Sequence, residues 1–153
     1  MENKAVKFFF LTLELPNIPL FKEQQELGTL PQTNLLSLMK KYNGITQTEE
    51  VIKIGGADTT VKRKYVIKKL PQYLFINIKR FAKNNFFKEK NPTIVSYPIR
   101  DLDLTEFVSL EEGQEKKEMM YDLVGSVIHN GKADSGTYRV QAIHGPSQEW
   151  HDI

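Results

Sequence analysis

Short apolar runs of strand length, separated by loops that contain proline or glycine, are the feature that most constrains the fold of this chain. Residues 6–15 (VKFFFLTLEL) are apolar and end at Pro16, which predicts a buried strand. In QYLFINIKRF, residues 72–81, alternate positions fall on one side of a strand. Residues 121–129 and 137–144 are two further apolar runs joined by a glycine-containing loop, which predicts a hairpin.

One segment has helical periodicity instead. Apolar side chains recur at spacings of three and four residues, as expected for one face of a helix, at Leu35, Leu38, Met39 and Tyr42. Thr33 or Asn34 can cap the start of this helix, and Gly44 can end it. A single helical turn is predicted in DLDLTEFV, residues 101–108, opened by Asp101 or Asp103.

The remaining segments are predicted from polarity. Residues 45–62 are polar and glycine-containing and are expected to form an exposed turn, and residues 62–70 a strand with one solvent face. Residues 82–93 are expected to be a mobile loop before a short strand at 94–98, and residues 109–119 a solvated segment. The order of strand, helix and several strands predicts an α+β fold, mainly antiparallel, as one domain over 1–153.

Composition excludes several kinds of site. The chain has 153 residues and no cysteine, which excludes disulfides, thiolate zinc sites and a cysteine nucleophile within it. Its three histidines, His129, His144 and His151, are far apart in sequence and form no metal-binding pattern, so each is interpreted as an ordinary polar residue. No run of about 18 apolar residues is present, and no membrane span is expected.

Charge is distributed unevenly along the chain. Residues 53–90 contain 11 Lys or Arg and 2 acidic residues, whereas the whole chain has 21 basic and 19 acidic residues. A basic segment of this kind can attract RNA or an acidic partner. It can equally be a solvated hairpin whose charges maintain solubility, and both interpretations stay open at this point.

Three stretches together resemble the C-terminal half of the ubiquitin-specific proteases, the papain-like deubiquitinase family. KKLPQYLFINIKRF, residues 68–81, is similar to the family block that ends in K-R-F. YDLVGSVIHNGKADSGTYRV, residues 121–140, is similar to the block Y-x-L-x-A-V-x-x-H-x-G-x-x-x-x-G-H-Y. Trp150 matches a tryptophan near the end of the family domain. The resemblance implies the palm and fingers of that fold, without the N-terminal thumb lobe.

The same resemblance implies that catalysis is lost. Thr137 occupies the family's catalytic histidine position, and a hydroxyl that does not titrate near pH 7 cannot act as the general base. The family's nucleophile is a cysteine upstream of the matched region, and this chain has none. Asp152 lies too close to Trp150 to be assigned as the third catalytic residue. Many members carry zinc at the fingertips, here near residues 47–64, but without a thiol no cofactor is expected.

KYVIKKLPQYL, KNNFFKEKNPTIV and FLTLELP resemble more specifically a splicing-associated member of the tri-snRNP that lacks the catalytic residues. This resemblance implies a nuclear, non-catalytic scaffold that binds spliceosomal proteins. Two loops flank the family's channel for the ubiquitin tail, and ubiquitin or a ubiquitin-like protein is therefore a possible partner. By position, the two loops are Ala82 to Glu89 and Lys132 to Thr137. The groove-flanking residues are Ala82, Lys83, Asn84, Asn85, Phe86, Lys132, Asp134, Ser135, Gly136 and Tyr138.

Two alternatives remain open beside the scaffold. The chain can be part of an active deubiquitinase whose missing lobe is supplied by a separate chain, or its basic segment can contact RNA. Half of a family domain would also expose apolar faces that the thumb lobe normally covers. Self-association of the fragment is therefore expected.

Overall fold

The computed structural model describes residues 4–17, 30–83, 88–109 and 119–153. Within these ranges the chain forms mostly strands, with one α-helix, α1 (Leu35–Met39), and two 3-10 turns, Lys40–Tyr42 and Thr105–Phe107. The strands in chain order are β1 (Phe10–Glu14), β2 (Gln32–Asn34), β3 (Asn43–Ile54), β4 (Ala57–Val66), β5 (Phe75–Lys79), β6 (Phe81–Lys83), β7 (Lys88–Lys90), β8 (Ile94–Ser96), β9 (Leu102–Asp103), β10 (Met120–Tyr121), β11 (Gly125–Gly131), β12 (Gly136–Ile143) and β13 (Trp150–Asp152).

The core forms around the parallel pair β1–β5, which runs in register from Phe10↔Phe75 to Glu14↔Lys79. As alternation predicts, Ile76 and Ile78 pack against the core while Phe75 faces outward. Most of the buried apolar side chains come from β1, α1, β8 and the segment around the second 3-10 turn, and Ile67 and Met119 add to them from positions adjacent to β4 and β10. The full set is Leu11, Leu13, Leu15, Leu35, Met39, Ile67, Val95, Leu102, Leu104, Phe107, Val108 and Met119.

Helix α1 begins where the sequence predicts. The Asn34 side chain accepts a hydrogen bond from the Ser37 backbone N–H at 2.7 Å, so Asn34 and not Thr33 is the N-cap. Leu35 and Met39 are buried. The last turn of the predicted helix is 3-10 rather than α-helical, and Gly44 ends it with a left-handed φ of 71°.

The prediction of an exposed turn over residues 45–62 is wrong in extent. Most of this segment belongs to the two-stranded ribbon β3–β4, and only Gly55 and Gly56 form the turn, with φ of 57° and 88°. Two consecutive glycines in this conformation are suited to a tight hairpin turn. The ribbon exposes most of both faces, so its strands lack the apolar alternation by which strands are recognised in sequence.

Antiparallel pairing dominates the described strands, as predicted, in β3–β4, β6–β7, β9–β10 and β11–β12–β13. The pairs β1–β5 and β2–β8 are parallel. Strand β13 was not predicted. It adds to β12 through the pairs Gln141↔Asp152, Ala142↔His151 and Ile143↔Trp150.

Three smaller predictions can be compared with the structure, and a fourth only at its two ends. The expected loop at 82–93 is wrong in part, because β6 and β7 form a short hairpin at its start. The predicted strand at 121–129 is divided: Tyr121 pairs in β10 with β9, and β11 starts at Gly125. The turn in 101–108 forms as 3-10 helix, with Asp103 accepting from the Thr105 N–H at 2.9 Å. Of the predicted solvated segment 109–119, Met119 is buried in the core, so the prediction is wrong there, and residues 110–118 lie outside the described ranges.

Within the described residues, no helix is both long and apolar enough to cross a membrane.

Candidate binding groove

Two glycines shape the β11–β12 hairpin. Gly131 has a φ of 114°, and a Cβ atom there would lie 2.7 Å from the Ser135 carbonyl oxygen. A Cβ at Gly136 would lie 2.5 Å from His129 Nε2 and would also collide with the Asn130 carbonyl oxygen. Glycine is therefore required at both ends of this loop, because any larger residue would force its strands apart.

Thr137 lies at the start of β12, opposite Asn130, with its side chain exposed. His129 pairs with Tyr138, one position along, so its ring lies on the other face of the hairpin. His144 follows the end of β12, where its Nδ1 is 2.9 Å from Ser147 Oγ. Neither histidine takes the place of Thr137, so the functional group at this position of β12 is the Thr137 hydroxyl.

Asp152 shares a face with Thr137, because it pairs with Gln141, which lies four residues further along β12. Its Oδ2 accepts a hydrogen bond at 2.8 Å from the guanidinium of Arg139, which is on the same face. The carboxylate is therefore paired with a cation. The Thr137 hydroxyl cannot act as the general base that activates a thiol.

A second hairpin, β6–β7, docks against β11 and β12. Lys90 Nζ donates hydrogen bonds to the carbonyl oxygens of His129, at 2.8 Å, and Gly131, at 3.1 Å. The His129 ring lies between two other rings, with centroid distances of 5.1 Å to Phe81 and 4.8 Å to Tyr138. These contacts hold the two predicted groove-flanking segments side by side.

The space between the two hairpins is a shallow groove of about 260 Å³, lined by Phe81, Ala82, Lys83, Lys88, Ala133 and Tyr138. Of the predicted residues, Ala82, Lys83 and Tyr138 line it directly. Four more lie in or beside the β11–β12 loop that borders it: Lys132, Asp134, Ser135 and Gly136. Asn84, Asn85 and Phe86 lie outside the described residues.

Three residues that build the groove lie outside the two predicted flanking loops: Phe81, Lys90 and His129. His129 belongs to the H-x-G part of the matched block, and Phe81 closes the K-R-F block, so the resemblance contained a signal for these two. No sequence signal marked Lys90, because its partners are backbone carbonyls 39 and 41 residues away.

Arg80, beside Phe81, has a structural role. Its guanidinium donates to the carbonyl oxygens of Thr93, at 2.6 Å, and Asn91, at 3.2 Å. The Asn91 backbone N–H in turn donates to the Arg80 carbonyl oxygen at 2.7 Å. These bonds fix the chain that leaves β7 against the start of β6, so Arg80 orients one wall of the groove.

The basic segment 53–90 is less uniformly positive than its sequence suggests. Lys62 pairs with Glu49 at 3.5 Å, Arg63 with Glu50 at 2.8 Å and Lys79 with Glu14 at 3.9 Å. Within the described ranges, no group of three or more His, Cys, Asp or Glu side chains is arranged to hold a metal ion.

Sequence comparison gives a family match and closely similar relatives. The ubiquitin carboxyl-terminal hydrolase family model matches residues 12–153. The chain is 42% identical over 146 residues to Ubiquitin carboxyl-terminal hydrolase 39 of Homo sapiens, covering 95% of this chain and 25% of that protein. It is 32% identical over 159 residues to the probable mRNA-splicing protein ubp10 of Schizosaccharomyces pombe, covering 100% of this chain and 30% of that protein. The chain thus spans between a quarter and a third of these relatives.

Comparison with solved structures gives the fold. The yeast SAGA DUB module carrying a mutant Sgf73 aligns with a TM-score of 0.62 at 19% identity, over 95% of this chain and 30% of the solved chain. The Ubp8 module bound to ubiquitin aldehyde aligns with a TM-score of 0.59 at 20% identity, over 95% and 32%. The family model, the identity to the relatives and the shared fold agree: the chain belongs to the ubiquitin carboxyl-terminal hydrolase family.

Proposed function

We propose that this chain is a non-catalytic deubiquitinase-like domain that acts as a protein-binding scaffold in pre-mRNA splicing. The observation that carries the proposal is the exposed alcohol of Thr137, with neither His129 nor His144 in its place. The motif resemblance assigns this position to the family's catalytic histidine. The chain also contains no cysteine. Without a titratable base the domain cannot activate a thiol. Its groove is nevertheless formed and can bind a partner.

The splicing assignment is supported by similarity. One relative is named a probable mRNA-splicing protein. All of this chain aligns with it, over 30% of that relative's length. By this proposal the protein works in the nucleus and contributes to assembly or maintenance of the tri-snRNP through contacts with spliceosomal proteins. Removal of the full-length protein from splicing extract should lower the amount of tri-snRNP, and adding the protein back should restore it. An unchanged tri-snRNP level after removal would contradict this role.

The alternative is an active deubiquitinase completed by a separate chain. Full-length protein, incubated with a ubiquitin vinyl-sulfone probe and with a fluorogenic ubiquitin amide, should form no adduct and release no fluorophore above background. An active family member serves as the positive control. Adduct formation by the natural sequence would overturn the non-catalytic assignment. The variant Thr137→His tests whether Thr137 alone blocks catalysis, since hydrolysis could return only if a nucleophile is present elsewhere.

RNA binding through residues 53–90 remains a separate prediction. Phosphate contacts weaken steeply with rising salt, so binding of this kind should disappear as ionic strength is raised. The ion pairs of Lys62, Arg63 and Lys79 reduce the free positive charge of the segment. This argues for protein rather than RNA as its main partner.

Self-association is the last untested expectation. Phe10 and Phe75 are register partners on β1 and β5, and they are 59% and 68% exposed. Two adjacent exposed rings form an apolar patch that favours association when uncovered. Light scattering on the isolated chain should report species larger than a monomer, and a monodisperse monomer would contradict the expectation.

A further inference from the structure

Three lysines at the groove have no ion-pair partner among the described residues. At the groove, Lys83 and Lys88 line the walls and Lys132 precedes the lining residue Ala133. The acidic residues next to these lysines in sequence are Asp134, in the bordering loop, and Glu89. Glu89 pairs with Ala82, so these two side chains lie on the face of the β6–β7 hairpin opposite to Phe81, Lys83 and Lys88.

Lys83 and Lys88 lie directly opposite each other across β6 and β7. Like charges in this arrangement destabilise a strand pair, so folding alone does not explain them. Both side chains are exposed, and neither forms an ion pair with a described acidic residue. An anionic ligand between the hairpins would relieve the repulsion, because it would place negative charge between the two ammonium groups.

The other lining groups suit an extended peptide. Phe81 and Tyr138 supply apolar surface at the same groove. Strand β6 pairs with β7 along one edge, and its second edge has no ladder partner among the described strands. A free strand edge can accept a further strand through backbone hydrogen bonds, with pockets along it selecting alternate side chains.

We propose that this groove binds an extended acidic segment of a partner protein, which adds to the free edge of β6. Phe81 and Lys83 lie two positions apart on one face of β6, so the segment should carry an apolar residue and a carboxylate two residues apart. The apolar side chain packs on Phe81 and Tyr138, and the carboxylate is held by Lys83 and Lys88. This inference rests on the proposed scaffold function and specifies the chemistry of its partner.

A peptide fits these features better than single-stranded RNA. Binding of single strands without sequence preference uses aromatic faces on which bases stack. Here Phe81 meets His129 edge-on with an interplanar angle of 80°, and Tyr138 is tilted by 53° against the same ring. The three rings are thus packed on one another rather than arranged as parallel platforms. The unpaired backbone edge of β6 also matches a peptide and has no counterpart in a nucleotide chain.

The test is fluorescence anisotropy with the full protein and a labelled peptide, GSLSESEGS, which carries leucine and glutamate at alternate positions. Two control peptides isolate the contributions: GSLSKSKGS reverses the charge, and GSGSESEGS lacks the apolar residue. A short labelled oligouridylate is the nucleic-acid arm. We expect binding of the first peptide that weakens as salt is raised, at least about tenfold weaker binding of the charge-reversed peptide, and an intermediate result without leucine.

The decisive variant is the double substitution Lys83→Glu with Lys88→Glu. It keeps a like-charged pair across the hairpin, so the strand pairing should be little altered. The charge of the groove lining changes from positive to negative. The matched control is Lys68→Glu with Lys69→Glu, two exposed lysines of the same basic segment that carry the same charge change and lie outside the groove lining. We expect about a tenfold loss of peptide binding in the groove variant and less than about a twofold loss in the control. Circular dichroism confirms that both variants are folded.

The proposal is overturned by absent or charge-independent peptide binding, or by equal losses in the two variants. It is also overturned if the oligouridylate binds more tightly and displaces the peptide. These outcomes are distinct from failure of the splicing role, which is measured by tri-snRNP levels and not by peptide affinity. A loss of tri-snRNP together with no peptide binding would retain the scaffold and reject only this ligand.

Discussion

The two long hairpins differ in what holds them in shape. The β3–β4 ribbon turns at Gly55 and Gly56, where a Cβ would meet nothing within 4 Å. It is stabilised by cross-strand pairs, two of which are ion pairs. The β11–β12 hairpin turns between glycines that are in close contact with neighbouring backbone, and Lys90, Phe81 and β13 anchor it. Local pairing therefore specifies the ribbon, whereas tertiary contacts specify the hairpin that borders the groove.

The largest expected difference is between glycine substitutions in the two turns. Gly136→Ala should lower the free energy of unfolding by about 2–3 kcal/mol, because its Cβ overlaps the Asn130 carbonyl oxygen and lies 2.5 Å from His129. Gly56→Ala should cost about 1 kcal/mol, since only its φ of 88° is unfavourable for alanine. Urea unfolding measures both values. Equal losses would remove the distinction between the hairpins.

Removing a lysine should also lower the free energy of unfolding more in β7 than in the ribbon. Lys90→Met removes two charge-assisted hydrogen bonds to backbone carbonyls and should cost about 2 kcal/mol. Lys62→Met removes only an ion pair whose side chains are 67% and 62% exposed, and should cost at most about 0.5 kcal/mol. A Lys90 variant as stable as the Lys62 variant would show that β6–β7 is not anchored as described.

Tyrosine ionisation tests the attachment of each hairpin to the core. Burial raises the pKa of two tyrosines above the ordinary value of 10.0: Tyr42, which precedes the ribbon strand β3, and Tyr121, which precedes β11. Their hydroxyls donate to the carbonyl oxygens of Thr12, at 3.0 Å, and of Pro71. Because the folded state favours the neutral phenols, this stabilisation is complete below pH 10 and is lost as pH rises through the raised pKa values.

Each of the substitutions Tyr42→Phe and Tyr121→Phe should therefore cost about 1 kcal/mol at neutral pH. The double variant should lose less stability than the natural protein between neutral pH and pH 11. Thermal unfolding across this range, with Tyr73→Phe as an exposed control, measures the effect. An alkaline decline of unchanged size in the double variant would exclude these two phenols as its cause.

The smallest expected effect concerns the lysines of the groove. Lys88→Glu alone places opposite charges across β6–β7 and should raise the free energy of unfolding by about 0.5 kcal/mol. The same change at Lys68, which has no described ion-pair partner, should leave stability nearly unchanged. A stabilised Lys88 variant that binds the acidic peptide more weakly would show that the natural residue serves binding at the expense of stability.

The sequence predicted secondary structure best for elements that bury one face. The run through Leu74, Ile76 and Ile78 and the helix starting at Leu35 were identified because core contact imposes a regular apolar spacing. The ribbon was missed because its strands have no continuous buried face, and polar residues there carry no periodic signal. Strand β13 was missed for a similar reason, since its three residues are exposed and are held by pairing with β12.

For the site, the sequence alone determined the chemistry that is present: the absence of cysteine, the alcohol at position 137 and the local excess of lysine. These follow from residue identity and need no coordinates. Only the tertiary structure decided that His129 and Thr137 lie on opposite faces, that Lys90 joins two hairpins, and that Lys83 and Lys88 share a groove with Tyr138. Such contacts depend on strand register and on bonds to backbone carbonyls distant in sequence, which no local pattern of side chains encodes.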